Sequence, residues 1–175
     1  MKIIAAVKNT DALMLACKSD VEMIFDIQPN IELLENYIEI CKKFRKKLFV
    51  HIDLAEGIGK DKYGLKFVQK MGVDGIISTR AGMIKAAKEL GMETVQRIFI
   101  LDSHSLETAE AVLKTEPDMV EVMPGVIPVA IEELCGKINI PVIAGGLVRS
   151  VEDVELISKA GAVAVSTSEN VLWKK

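Results

Sequence analysis

Short runs of aliphatic and β-branched residues alternate along the chain with longer segments in which apolar residues recur three and four apart. The short runs predict strands at 2–7, 22–27, 48–53, 75–78, 95–101, 119–122, 142–144 and 163–166. Between them the helical period predicts helices at about 11–18, 31–45, 61–71, 80–90, 105–115, 126–136 and 151–159, with a final turn near 168–173. Leu33, Leu34, Tyr37, Ile38 and Cys41 form the clearest helical stripe. Gly72, Gly91, Gly136 and Gly161 stand where left-handed helix caps are expected, and Asn30, Ser103 and Ser150 where N-caps belong.

Strictly alternating strand and helix means βα units and a parallel sheet. The strands are apolar on both sides, as in a sheet covered on both faces. Eight such units predict an α/β fold, a small (β/α)8 barrel of the TIM type. At 175 residues each unit has roughly 22, against about 250 for a usual barrel. Loops must therefore be short and some helices reduced to turns. A doubly wound open sheet is the alternative, but it would leave the well-formed eighth strand as an exposed edge. No linker, repeat or low-complexity stretch divides the chain, so residues 1–175 read as one barrel domain.

Composition narrows the class. Half the residues are hydrophobic and 27% charged, a globular balance that excludes disorder and fibrous structure. Apolar runs fall far short of the roughly 18 residues that span a bilayer, and the amino terminus lacks a secretory pattern. Cys17, Cys41 and Cys135 are odd in number and widely spaced, with two histidines in the whole chain. They read as reduced thiols of a cytoplasmic protein, with no metal site and no cofactor motif. The net charge of −3 offers phosphate backbones no global attraction, so any nucleic-acid contact requires a local patch.

In either fold, function sits at the carboxyl ends of the strands. Those ends carry Lys8 and Asn9, Asp26, His51 and Asp53, Ser78 with Thr79 and Arg80, Asp102 and Ser103, Glu121 before Pro124-Gly125, Gly145-Gly146, and Ser166-Thr167-Ser168. The glycine pair after strand seven and the hydroxyls after strand eight match the place where barrels bind phosphate through backbone N–H groups. Gly145, Gly146, Ser166, Thr167 and Ser168 are thus candidate phosphate ligands, or else two tight helix starts. Asp26, Asp53, Asp102 and Glu121 could hold a cation or polyol hydroxyls, and could equally be caps or partners of Lys8, Arg80 or Arg97. His51 and Asp53, two apart, would share one side of a strand and could act as an acid–base pair. Lys8, His51, Asp53, Ser78, Thr79, Asp102, Glu121 and Gly125 complete the candidate ligand site. No mid-strand Schiff-base lysine, metal-ligand histidine pair, GxSxG, P-loop or GxGxxG appears, so the site is better equipped to bind than to react and no catalytic residue is assigned. The basic run Lys42, Lys43, Arg45, Lys46 and Lys47 is either a solvated helix end or a phosphate-contacting patch continued by Lys60, Lys62, Lys66 and Lys70.

Six segments in order carry a resemblance: His51-Ile52-Asp53-Leu54 with Gly57, Asp74-Gly75-Ile76-Ile77-Ser78-Thr79, Gln96-Arg97-Ile98-Phe99-Ile100-Leu101-Asp102-Ser103, Glu121-Val122-Met123-Pro124-Gly125, Ile143-Ala144-Gly145-Gly146-Leu147, and Val165-Ser166-Thr167-Ser168 with Leu172-Trp173. Together they resemble the glycerol uptake operon antiterminator regulatory protein family, from Ile3 to Trp173. The resemblance implies a small barrel that senses glycerol 3-phosphate and, when liganded, acts on a leader mRNA so that transcription of glycerol-utilisation genes passes a terminator. It implies transcription regulation and RNA binding without catalysis, and leaves homo-oligomerisation open. The alternative from the residues alone is a small phosphate-binding barrel enzyme, an isomerase or lyase using His51 with Asp53 or Asp102.

Overall fold

A computed structural model of the chain describes residues 1–174, apart from the side chains of Glu110 and Val112. The strands are β1 (Lys2–Val7), β2 (Met23–Asp26), β3 (Lys47–His51), β4 (Gly75–Ser78), β5 (Glu93–Phe99), β6 (Met119–Met123), β7 (Val142–Gly145) and β8 (Ala164–Thr167). The helices are α1 (Thr10–Cys17), α2 (Ile31–Lys43), α3 (Lys62–Met71), α4 (Ala81–Glu89), α5 (Ser103–Val112), α6 (Pro128–Lys137) and α7 (Val151–Lys159). All eight strands are parallel and close in sequence order, with β8 pairing back on β1 through Lys2–Ala164 to Ala5–Thr167. This is a (β/α)8 barrel with short loops. In place of an eighth helix, a 3-10 turn at Asn170–Leu172 follows β8 among the described residues.

Alternation within each strand divides the core into an inner and an outer layer. Ile4, Phe25, Phe49, Ile77, Val95, Ile143 and Ala164 fill the barrel interior. The Phe25 and Phe49 rings meet at 5.7 Å. Gly75 makes room for them, because a Cβ there would lie 2.3 Å from the Phe49 ring. The outward faces of β1 to β4 pack beneath α1 to α4, and those of β5 to β8 beneath α5 to α7. Trp173 seals the seam between the two ends of the chain: it is buried with the α1 side of the core and donates its indole N–H to the Thr167 carbonyl at 3.0 Å.

Several boundaries differ from the sequence reading, each for a local reason. Gly72, Gly91 and Gly161 do take positive φ, but Gly136 lies inside α6, where the helix runs one residue further. Asn30 and Ser150 cap α2 and α7, whereas α5 is capped by Asp102 rather than Ser103, since the aspartate accepts the Ser105 amide and Ser105 returns the bond. The third strand ends at His51, where a 3-10 turn over Ile52–Leu54 takes over. Among the described residues no helix is long and apolar enough to cross a membrane.

Candidate functional site

At the carboxyl ends of the strands the barrel opens into a cavity of about 220 Å³. Its walls come from Lys8 after β1, Arg97 on β5, Glu121 and Met123 on β6, Gly146 to Arg149 after β7, and Ser166 to Glu169 at the end of β8. The strand period explains the placement. Val95, Ile143 and Ala164 face the interior, so Arg97, Gly145 and Ser166, each two residues on, face it one layer higher. Register sets Glu121 opposite Arg97 and Ser166 opposite Gly145.

These four residues form one buried unit. Arg97 Nε donates to Glu121 Oε2 at 2.6 Å, and the Ser166 hydroxyl donates to the other carboxylate oxygen. The Ser166 bond passes over Gly145, where a Cβ would lie 2.4 Å from Glu121 Oε1 and 2.7 Å from the Ser166 hydroxyl. Glycine at 145 is therefore what allows the carboxylate and the hydroxyl to meet. Glu121 is fully withdrawn from solvent, a position tenable for a charge only because both oxygens are bonded. Nε is the part of the guanidinium that is engaged among the described residues, and its two terminal nitrogens are left to the cavity that Arg97 lines.

The surrounding loops are held by their backbones. Gly125 donates to the Gly145 carbonyl at 2.6 Å, and a Cβ on Gly125 would stand 2.7 Å from the Gly145 nitrogen. Gly146 has φ of +76° and Leu147 of +63°, so the chain after β7 turns through the left-handed region at both. Thr167 spends its hydroxyl on the Val148 carbonyl at 2.8 Å, tying the β7 and β8 loops together. Ser168 is exposed on the rim and makes no side-chain hydrogen bond among the described residues. Lys8, Arg97 and Arg149 face Glu121 and Glu169 across the cavity. With Glu121 already paired to Arg97, the remaining balance favours an anion.

Other candidates from the sequence stand elsewhere. Asp53 lies in the 3-10 turn after β3 and accepts from the Ser78 hydroxyl at 2.8 Å, the Thr79 amide at 2.7 Å, the Thr79 hydroxyl at 3.1 Å and Arg80 Nε at 3.0 Å. Burial opposes its ionisation, but the bonds from Thr79, Ser78 and Arg80 outweigh it and hold the carboxyl below the usual carboxylate range. Asp53, Ser78 and Thr79 are thus spent on one another, outside the cavity lining. Asp102 is exposed and caps α5, and its bonds from Ser105 lower its pKa. Asp26 points outward beneath the helices, and burial pushes its carboxyl up to about 6.

His51 ends β3 and Asp53 lies in the 3-10 turn that follows, so the two are not on one strand as expected, and the Asp53 charge still acts on the histidine ring. Its ring follows Phe49 on the inward face, almost wholly buried, and Nδ1 has no partner among the described residues. Burial, reinforced by the Arg97 charge, pushes its pKa down to about 4, which leaves it neutral at neutral pH. No three His, Cys, Asp or Glu residues are grouped to hold a metal among the described residues.

The basic run lies at the opposite, amino end of the barrel. Lys42 and Lys43 close α2 and are exposed, as is Arg45, at φ of +56°. Lys46 donates to the Ser19 carbonyl and Lys47 pairs with Glu93.

Arg97 is the residue that sequence reasoning undervalued, weighing it only as a partner for carboxylates. Its signal was present: an arginine inside the apolar run Val95-Gln96-Arg97-Ile98-Phe99 would be costly in a covered strand unless paired or used. Arg149, Met123 and Leu147 carried no such signal, because they line the cavity through the course of their loops or strand end.

A family model described as glycerol-3-phosphate responsive antiterminator matches residues 3–173. An Escherichia coli K12 protein named uncharacterized protein YgcP is 38% identical over 173 residues, 98% of this chain and 91% of that one. The crystal structure of the glycerol uptake operon antiterminator regulatory protein from Listeria monocytogenes superposes with a TM-score of 0.92 at 34% identity, covering 99% of this chain and 95% of the other. That of a glycerol uptake operon antiterminator-related protein from Thermotoga maritima gives 0.89 at 32% identity, covering 99% and 98%. A putative deoxyribose-phosphate aldolase from Coccidioides immitis, at 12% identity and a TM-score of 0.74, shares the fold alone.

Proposed function

The chain belongs to the glycerol-3-phosphate responsive antiterminator family, and from that premise we propose that the barrel mouth binds glycerol 3-phosphate and that the liganded protein acts on a leader mRNA as a cytoplasmic transcription antiterminator. The observation that carries the ligand half is Arg97, buried, braced by Glu121, and turned toward a cavity rimmed by Lys8, Arg149 and the Gly146 and Ser168 loops. A cation whose position is fixed before the ligand arrives binds an anion without a further ordering cost. In this reading the phosphate lies against the backbone of Gly145 and Gly146 and the Ser166–Ser168 segment, with Arg97, Lys8 and Arg149 neutralising it. The polyol hydroxyls meet the Glu121 side of the cavity.

The family is one of regulatory antiterminators, and the arrangement of side chains supports binding over acid–base chemistry. Asp53 is consumed by four donors and Asp102 by its helix cap, so both carboxylates are already committed to structural bonds. For the transcript, Lys42, Lys43 and Arg45 offer exposed positive charge remote from the mouth. The test is a calorimetric titration with glycerol 3-phosphate, glycerol and inorganic phosphate. Glycerol 3-phosphate should bind most tightly, since it alone satisfies both halves of the cavity. Equal affinity for phosphate would refute the polyol half.

A further inference from the structure

Helix α3 presents a surface that the core does not need. It buries Gly64, Leu65 and Val68 against the barrel and turns Tyr63, Lys66, Phe67 and Lys70 outward, at the i, i+3, i+4, i+7 spacing of a single helix face. Tyr63 is 67% exposed and Phe67 40%, in a chain where aromatics make up only 5% of residues. The two rings sit one turn apart, about 5.4 Å along the axis, with a lysine beside each. Lys62 holds its ammonium 5.1 Å above the Tyr63 ring. Lys42, from the end of α2, reaches the α3 terminus, where a Cβ on Gly72 would lie 2.7 Å from its Nζ.

The charge on this face is not neutralised. The ion pairs among the described residues take up Lys2, Lys47, Lys137, Arg80 and Arg97, and none involves Lys42, Lys60, Lys62, Lys66 or Lys70. Helix α3 carries no carboxylate of its own, and Asp61 before it is committed to the amides of Tyr63 and Gly64 as the N-cap.

We propose that the outward face of α3, Tyr63 and Phe67 set among Lys62, Lys66 and Lys70, is a stacking platform for single-stranded RNA. Lysines at this density take phosphates, and flat rings a turn apart each accept the face of an unpaired base. An anionic membrane is served less well, because two rings flanked by lysines offer little apolar area to bury. The assignment rests on the reading of this chain as a transcript-binding protein. It places the contact on α3 rather than on the 42–47 run alone, and leaves the ligand cavity untouched.

Fluorescence anisotropy with two probes, labelled oligouridylate and the leader transcript of glycerol-use genes, tests it. Tyr63→Ala and Phe67→Ala should each weaken both complexes roughly ten-fold or more. Phe67→Trp should retain affinity and Phe67→Leu should not, since stacking needs a ring and not just an apolar side chain. Glycerol 3-phosphate affinity should stay at its wild-type value in all four, which excludes misfolding as the cause. Unchanged RNA affinity in the alanine variants overturns the platform while the regulator reading stands. Oligouridylate binding that depends on both rings, without any affinity for the leader, keeps the platform and overturns the transcript reading. Wild-type protein that binds neither probe at low salt overturns both. Ring-dependent binding to phosphatidylglycerol vesicles with RNA affinity unaffected by the substitutions assigns the face to a membrane and overturns the proposal.

Discussion

Arg97 and Glu121 meet across neighbouring strands inside the barrel, Nε to Oε2 at 2.6 Å, the carboxylate fully buried and the arginine nearly so. A pair withdrawn from water is a weak source of net stability, but removing one member leaves the other charged and unpaired. Arg97→Ala should therefore destabilise the barrel by about 3–5 kcal/mol. Glu121→Gln, which keeps a hydrogen-bonding group of the same shape beside Ser166, should cost less. Urea denaturation of the two variants gives the comparison. Both should also lose glycerol 3-phosphate affinity, Arg97→Met as completely as Arg97→Ala. Equal stability of Arg97→Ala and wild type would mean the pair does not brace the site.

Gly146 is the second point of leverage. With φ of +76°, any side chain there is strained, and a Cβ would approach Met123 Cε to 2.7 Å, the free end of a flexible side chain that can yield. Gly146→Ala should cost about 1–2 kcal/mol through the backbone alone. Gly146→Asp adds a negative charge where the phosphate is proposed to lie, and should abolish ligand binding in a protein that still unfolds cooperatively. Unchanged affinity in folded Gly146→Asp would remove the phosphate from this loop.

His51 supplies a pH signature. Its pKa is pushed from 6.5 down to about 4 in the folded chain by burial and by Arg97, opposed by Asp53. The folded state therefore binds this proton less readily than the unfolded chain. Its contribution to stability is fully present above about pH 6.5 and is lost as the pH falls toward 4, by about 3 kcal/mol in all. His51→Gln should flatten that part of the profile relative to wild type, measured by denaturation at pH 7, 5.5 and 4.5. Parallel profiles for the two proteins would show that the ring is not held neutral.

Most of the architecture was legible because it is encoded locally. Short apolar strand runs and period-three-and-four helices alternate without a break, and the Asn30 and Ser150 caps fall where their side chains can reach the helix amides. What escaped was the detail of the mouth. Reading Asp53 and His51 as partners assumed that the strand continued, and the 3-10 turn at Ile52–Leu54 broke the alternation. Asp102 looked like a ligand from its position at a strand end, but a helix start nearby claimed its oxygens first. Arg97 and Glu121 become a unit only through the β5–β6 register, which pairing across the sheet determines and no local pattern encodes. Tyr63 and Phe67 fit a helical stripe in the sequence. Only the burial of Gly64, Leu65 and Val68 fixes which side of that helix the rings occupy.

In the proposed function, a small phosphorylated polyol in the barrel mouth controls a contact with RNA elsewhere on the surface. The direct measurement is the affinity of the purified chain for the leader transcript, with and without saturating glycerol 3-phosphate, at several salt concentrations. Binding should be tighter with the ligand, its logarithmic affinity should fall as salt rises because lysines displace counterions, and Gly146→Asp should show no ligand effect. A liganded wild-type protein with no affinity for the transcript even at low salt would contradict it.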